Sequence, residues 1–170
     1  YYQRTIKENI YYVGESDRRL QLFENMFELP RGIAYNSYLI IDDKTALLDG
    51  IDESVSERYY ENVRTVLAGR ELDYLIVNHV EPDHCSSING ILREYPNCQM
   101  VLTKKGVDFM NQFYHLDYQN RIHVVGEGDQ LELGKHTLQF IMAPNVHWPE
   151  VMMTYDLTDD ILFSADAFGS

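Results

Sequence analysis

Tyr74-Leu75-Ile76-Val77 is an unbroken apolar run, and a strand built from it needs cover on both faces, as strands inside a helix-flanked sheet have. The chain then passes directly into Asn78-His79-Val80-Glu81-Pro82-Asp83-His84-Cys85, which places four cation-binding side chains within six residues. In an extended segment, residues two apart point the same way. His79, Glu81 and Asp83 therefore share one side, Pro82 restricts the backbone between them, and His84 reaches the same space from the next position. Loops at strand ends are where open α/β sheets carry their sites, so position and composition agree.

The flanking sequence supplies the cover. Between Ser54 and Ala68 the apolar positions Val55, Tyr59, Val63, Val66 and Leu67 recur at helical spacing, with Ser54 placed to cap the start and Gly69 after the last turn. A second helix is expected over 86–95, a strand over 99–102, a helix over 104–114 and a strand over 121–125. Leu131 to Leu133 and Thr137 to Ala143 read as a hairpin around Gly134-Lys135, followed by strands near 151–155 and 161–165. Upstream, Tyr35 to Ile41 and Thr45 to Leu48 flank Asp42-Asp43-Lys44 as another hairpin. Asn9 to Val13 and Leu20 to Leu29 read as short strands, with the polar Gly14-Glu15-Ser16-Asp17 as the turn between. Hairpins first and strand–helix alternation afterwards argue for one mixed α/β domain with helices packed on sheet.

The 170 residues carry 14 Lys and Arg against 27 Asp and Glu, a net charge of −13, which repels nucleic acid and anionic lipid. No apolar run approaches the roughly 18–20 residues of a membrane-spanning helix. Two cysteines, Cys85 and Cys98, are too few for a disulfide framework and fit a reducing compartment, so a cytoplasmic location is expected.

Two further candidates stand at strand ends: His147, after the strand closing at Ala143-Pro144, and Asp166, after 161–165. With His79, Glu81, Asp83 and His84 they make three histidines and three carboxylates, enough for two metal ions sharing a bridging carboxylate. The nitrogen–oxygen donor set suits iron or manganese at least as well as zinc. The competing reading is a solvated acidic loop, in which such a cluster arises by chance. His115, His123 and His136 lie in polar or strand contexts without ligand partners in sequence and read as surface or structural. Cys85 reads as a small residue buried where a helix starts, and Trp148 and Tyr155 as core aromatics.

The pattern resembles a known one. The metallo-β-lactamase superfamily places His-x-His-x-Asp-His after a buried strand; here Glu81 stands for the second histidine, and His79-x-Glu81-x-Asp83-His84 is similar to the signature of flavodiiron proteins. Agreement extends to Pro30-Arg31-Gly32, Tyr35-Asn36-Ser37-Tyr38-Leu39-Ile40, Ala46-Leu47-Leu48-Asp49, His147-Trp148-Pro149-Glu150 and Phe163-Ser164-Ala165-Asp166-Ala167-Phe168-Gly169. The resemblance implies the first part of a metallo-β-lactamase-like αββα sandwich over residues 1–170. It implies that His79, Glu81 and His147 bind one iron, that Asp83 and His84 bind the other, and that Asp166 bridges, with Asp49 a structural aspartate. It further implies reduction of O2 to water or of NO to N2O, and FMN in a flavodoxin-like domain outside this chain. A rubredoxin-like protein or flavin reductase would donate electrons, and a head-to-tail homodimer would bring flavin to iron.

The family's last metal-binding histidine lies beyond Asp166 and has no counterpart here, and Phe23-Glu24-Asn25 stands where some members carry a histidine near the iron. The site is therefore expected to be incomplete without further polypeptide. The alternatives are a dinuclear metallohydrolase, against which Glu81 argues, and a non-catalytic fragment that binds a partner.

Overall fold

The apolar run forms an inner strand of a seven-stranded sheet. A computed structural model of the chain describes residues 4–17, 22–23, 27–28, 33–81, 85–113, 118–146 and 148–167. The strands are β1 (Arg4–Lys7), β2 (Ile10–Tyr12), β3 (Glu15–Asp17), β4 (Leu22–Phe23), β5 (Phe27–Glu28), β6 (Ile33–Tyr35), β7 (Tyr38–Ile41), β8 (Thr45–Leu48), β9 (Tyr74–Ile76), β10 (Gln99–Thr103), β11 (Ile122–Val125), β12 (Gln130–Glu132), β13 (Thr137–Met142), β14 (Met152–Asp156) and β15 (Ile161–Phe163). Among the described residues the α-helices are α1 (Ser56–Leu67), α2 (Ile88–Glu94) and α3 (Lys104–Phe113).

The large sheet runs β1-β2-β7-β8-β9-β10-β11 and the second β12-β13-β14-β15. Pairing is antiparallel from β1 to β8, parallel from β8 through β11, and antiparallel throughout the second sheet. Strand alternation divides the core in two. Leu39, Leu47 and Leu75 face the helices, meeting Tyr59, Val63 and Leu67 of α1 and Ile91 and Leu92 of α2. Their neighbours Ile40, Ala46, Leu48 and Ile76 face the second sheet, meeting Leu138, Phe140 and Met152. Leu75 and Ile76 are both fully buried, on opposite faces of β9, each contributing about 2 kcal/mol by burial. The described residues thus form helices, large sheet and small sheet in three layers, the mixed α/β arrangement expected from the sequence.

Local differences from the sequence reading have physical causes. Ser54 does not cap α1; the Asp52 carboxylate accepts the Ser54 N–H at 2.9 Å and opens a 3-10 turn over Glu53–Val55, so the α-helix begins at Ser56. The helix closes on Ala68 in the left-handed region, one residue before Gly69. Glu15–Asp17 is a strand paired with β6 rather than a turn, because an edge ladder tolerates polar side chains. Gly14 makes this possible: a Cβ there would lie 2.1 Å from the Tyr35 carbonyl oxygen. Within 20–29, the described strands β4 and β5 pair with each other. No helix among the described residues is long and apolar enough to cross a membrane.

One side chain ties the helical layer to the sheet. Arg121 donates from Nε to the Cys98 carbonyl at 2.8 Å, from Nη1 to Leu92 at 2.8 Å and from Nη2 to Tyr95 at 2.7 Å, and stacks on Tyr118. Leu92 lies in the last turn of α2, where the helix leaves its carbonyls without intrahelical partners. Arg121→Ala is expected to cost about 2 kcal/mol in urea unfolding, with Arg121→Lys recovering less than half because an ammonium cannot span three fixed acceptors. A loss below about 0.5 kcal/mol would contradict this role.

Candidate metal centre

The ligand loop starts from a residue held on three sides. Asp49, at the end of β8, accepts the Asn78 backbone N–H at 2.7 Å and its side-chain Nδ2–H at 3.0 Å. From the second sheet, Thr154 donates its hydroxyl to Asn78 Oδ1 at 2.7 Å, and Met152 N–H donates to the Asn78 carbonyl at 3.0 Å. Asp49 is itself pinned, since Tyr59 donates to its carbonyl oxygen at 2.9 Å and Ser37 to the same oxygen at 2.9 Å. Burial pushes the Tyr59 phenol well above its ordinary range, so it stays neutral and donates. Asp49 is thus structural, as the sequence resemblance implied, and its positive φ of 60° turns the chain out of β8.

His79 follows Asn78 and is buried. Its two ring nitrogens meet different carboxylates. Nδ1 lies 2.6 Å from Glu150 Oε1, and Nε2 lies 2.9 Å from Glu81 Oε2. Burial alone would lower the His79 pKa, but hydrogen bonds from Glu150 and then Glu81 outweigh it and raise it to about 9. Glu150 answers in kind: burial would raise its carboxyl, while the His79 and Val80 hydrogen bonds hold it below the usual carboxylate range. Glu81 is also buried. The Trp148 ring stands edge-on to His79 with centroids 5.6 Å apart, backed by Phe109 at 6.0 Å, and walls this side of the loop. Cys85 is buried, with its thiol 3.4 Å from the His79 carbonyl oxygen.

Asp166 completes the group. It follows β15 and Ala165, whose φ of 47° turns the chain, and its carboxylate lies with His79 and Glu81 so that one ligand atom from each falls within 4.8 Å of the others. Two ligands about 2.1 Å from one ion and at right angles stand about 3.0 Å apart, so the 2.9 Å spacing of His79 Nε2 and Glu81 fits a shared cation. One imidazole and two carboxylates form a donor set suited to iron or manganese. Asp83, His84 and His147, the other candidates, lie outside the described residues. Asn145 and Val146, just before His147, are held by backbone hydrogen bonds to Trp148 and Ala143.

His136, read as surface or structural, is buried, with its Nδ1 donating to Asp156 at 2.7 Å and lying 3.9 Å from Asp159, while two other readings change. Asp156 also takes the Thr158 N–H, and Asp159 pairs with Lys7 at 2.9 Å, so protein donors already supply positive charge to this second group. Tyr155 is not a core aromatic, because β14 alternation turns it outward, where it donates to Asp160 at 2.8 Å. Trp148 is half-buried and contacts the site directly. Glu150 was legible only as part of His147-Trp148-Pro149-Glu150, an acidic residue inside an otherwise apolar stretch.

A helix-covered sheet packed on a second sheet, with candidate metal ligands in loops at one end of the strands, defines a β-lactamase-like domain. The family model for the ODP family beta lactamase matches residues 33–170. Diflavin flavoprotein A 1 of Synechocystis is 41% identical over 165 residues, covering 96% of this chain and 28% of that protein. The anaerobic nitric oxide reductase flavorubredoxin of Klebsiella pneumoniae is 37% identical over 166 residues, covering 96% of this chain and 34% of that protein. The crystal structure of the flavodiiron protein from Giardia intestinalis superposes with a TM-score of 0.90 at 29% identity, covering 96% of this chain and 40% of that one. The chain belongs to this family, as a β-lactamase-like domain of the flavodiiron proteins, and spans about a third of the length of the curated relatives it matches.

The Asn78 clamp is the part of the site most exposed to mutation. Asn78→Ala removes one donor to Asp49 and one acceptor for Thr154 and is expected to cost about 3 kcal/mol in chemical denaturation. Asn78→Asp sets two buried carboxylates against each other and should be worse. Equal stability of the Asp variant and the native protein would contradict the clamp.

Proposed function

We propose that this domain carries a diiron centre and that the protein containing it is an oxidoreductase that reduces nitric oxide to nitrous oxide, dioxygen to water, or both. The observation that carries the reading is the convergence of His79 Nε2, Glu81 and Asp166 at the end of the parallel strands, with His79 Nδ1 engaged elsewhere. His79, Glu81 and His147 would hold one iron, Asp83 and His84 the other, and Asp166 would bridge them. Bound there, the metals would supply electrons to a small diatomic held between them.

The chain's own residues have definable tasks. Asn78 and Asp49 fix where the ligand loop leaves the sheet. Glu81 in place of a histidine adds a negative, hard oxygen donor, which favours iron over the zinc of a hydrolase. Trp148 and Phe109 limit water on the His79 side. Electrons would come from FMN held outside this chain, and a rubredoxin-like protein or flavin reductase would recharge it. A head-to-tail homodimer would bring the two cofactors together. A cytoplasmic location accords with a chain of only two cysteines, both buried.

The test is anaerobic. The full-length protein, chemically reduced and given nitric oxide, should release one N2O for every two NO consumed, taking two electrons and two protons. A parallel run with dioxygen should consume four electrons per O2 without peroxide. Glu81→Gln is expected to lower both rates at least about 100-fold along with its iron content. Zinc as the purified metal, with ester hydrolysis and no gas consumption, would sink the reading.

A further inference from the structure

Glu150 meets the His79 ring at Nδ1, away from the Nε2 that meets Glu81. Its Oε1 accepts two hydrogen bonds, from His79 Nδ1–H at 2.6 Å and from the Val80 backbone N–H at 3.0 Å. Both donors belong to the loop that leaves β9, whereas Glu150 enters from the loop before β14. Its own carbonyl oxygen accepts from the Thr103 hydroxyl at 3.3 Å, so the large sheet holds its backbone too. The carboxylate is fully buried, and its second oxygen, Oε2, has no hydrogen-bond partner among the described residues.

The geometry points to Glu150 as a positioning residue for the metal centre: it holds His79 through Nδ1–H, so that when a cation replaces the proton on Nε2 that nitrogen already faces Glu81. The inference rests on reading that group as a metal site. A neutral imidazole protonates one nitrogen only, and the nitrogen engaged by a fixed acceptor is the one that keeps its hydrogen. Glu150 stands outside the converging group of His79, Glu81 and Asp166, and its Oε1 is taken up by two donors, one of them Nδ1 rather than Nε2. The carboxylate charge also raises the donor strength of the imidazole, as outer carboxylates do for metal-bound histidines. His136 and Asp156 make a similar contact at 2.7 Å, but there the Thr158 N–H also bonds Asp156 and Lys7 pairs with the neighbouring Asp159.

The experiment uses the full-length protein depleted of metal and titrated with Co(II), whose visible absorption reports ligand geometry, and with Fe(II) against a competing chelator. Glu150→Leu keeps the volume and removes the acceptor; Glu150→Gln keeps an acceptor and removes the charge. The expected order of affinity is native, then Gln, then Leu, with Leu weaker by about 10- to 100-fold and its Co(II) spectrum shifted. Variants that bind as the native protein does, to within twofold and with its spectrum, would overturn the assignment even if their melting temperatures fall. If the Leu variant does not fold, Gln decides: binding at least about threefold weaker with an unchanged Co(II) melting baseline supports positioning, and native affinity overturns it. Native protein that takes up neither metal would instead remove the underlying metal reading.

Discussion

The pairing of Asp49 with Asn78 is the contact on which the rest of the site depends. It joins the ends of two parallel strands, β8 and β9, through two hydrogen bonds to one carboxylate, and Thr154 and Met152 extend it to the second sheet. Every one of these groups is buried, so each unpaired atom would carry the full cost of desolvation. The network therefore specifies a single geometry at the point where the ligand loop begins. His79 inherits its position from Asn78, and Val80 and Glu150 close the loop against the strand that follows.

Buried polar contacts of this kind explain why a loop, and not a strand, can carry the chemistry. The two cores on either face of the large sheet provide the rigid support. The hydrogen bonds at the strand ends convert it into side-chain placement. The left-handed residues Asp49, Asn145 and Ala165 all lie in the loops at this end of the sandwich, where the chain must turn sharply to bring distant segments together. Such conformations cost energy for non-glycine residues and persist where surrounding contacts over-determine them.

The layers were legible because burial imposes periodicity. Tyr74 to Val77 read as a two-faced strand, and Leu75 and Ile76 do face opposite cores. The spacing of Tyr59, Val63 and Leu67 announced α1. Its start was not legible from Ser54, because Asp52 offers the better acceptor two residues upstream. Glu15–Asp17 escaped for a related reason: an exposed edge strand needs no apolar alternation. His79, Glu81 and Asp166 were readable as candidates because ligand types clustered at strand ends, and the structure brings these three together. Glu150 was not, since it lies 71 residues from His79 and a single hydrogen bond between distant loops leaves no periodic trace. His136 likewise gained its partners only through the β13–β14 register, which sets Leu138 beside Asp156.

The central claim is that His79, Glu81 and Asp166 face a common metal position. Anomalous diffraction from crystals of the full-length protein, recorded on either side of the iron and zinc edges, addresses it directly. The account predicts two iron peaks, one bonded to His79 Nε2 and Glu81, with Asp166 between the two. An iron-edge map without density beside His79 Nε2, or a peak on Nδ1 in place of Glu150, would contradict it.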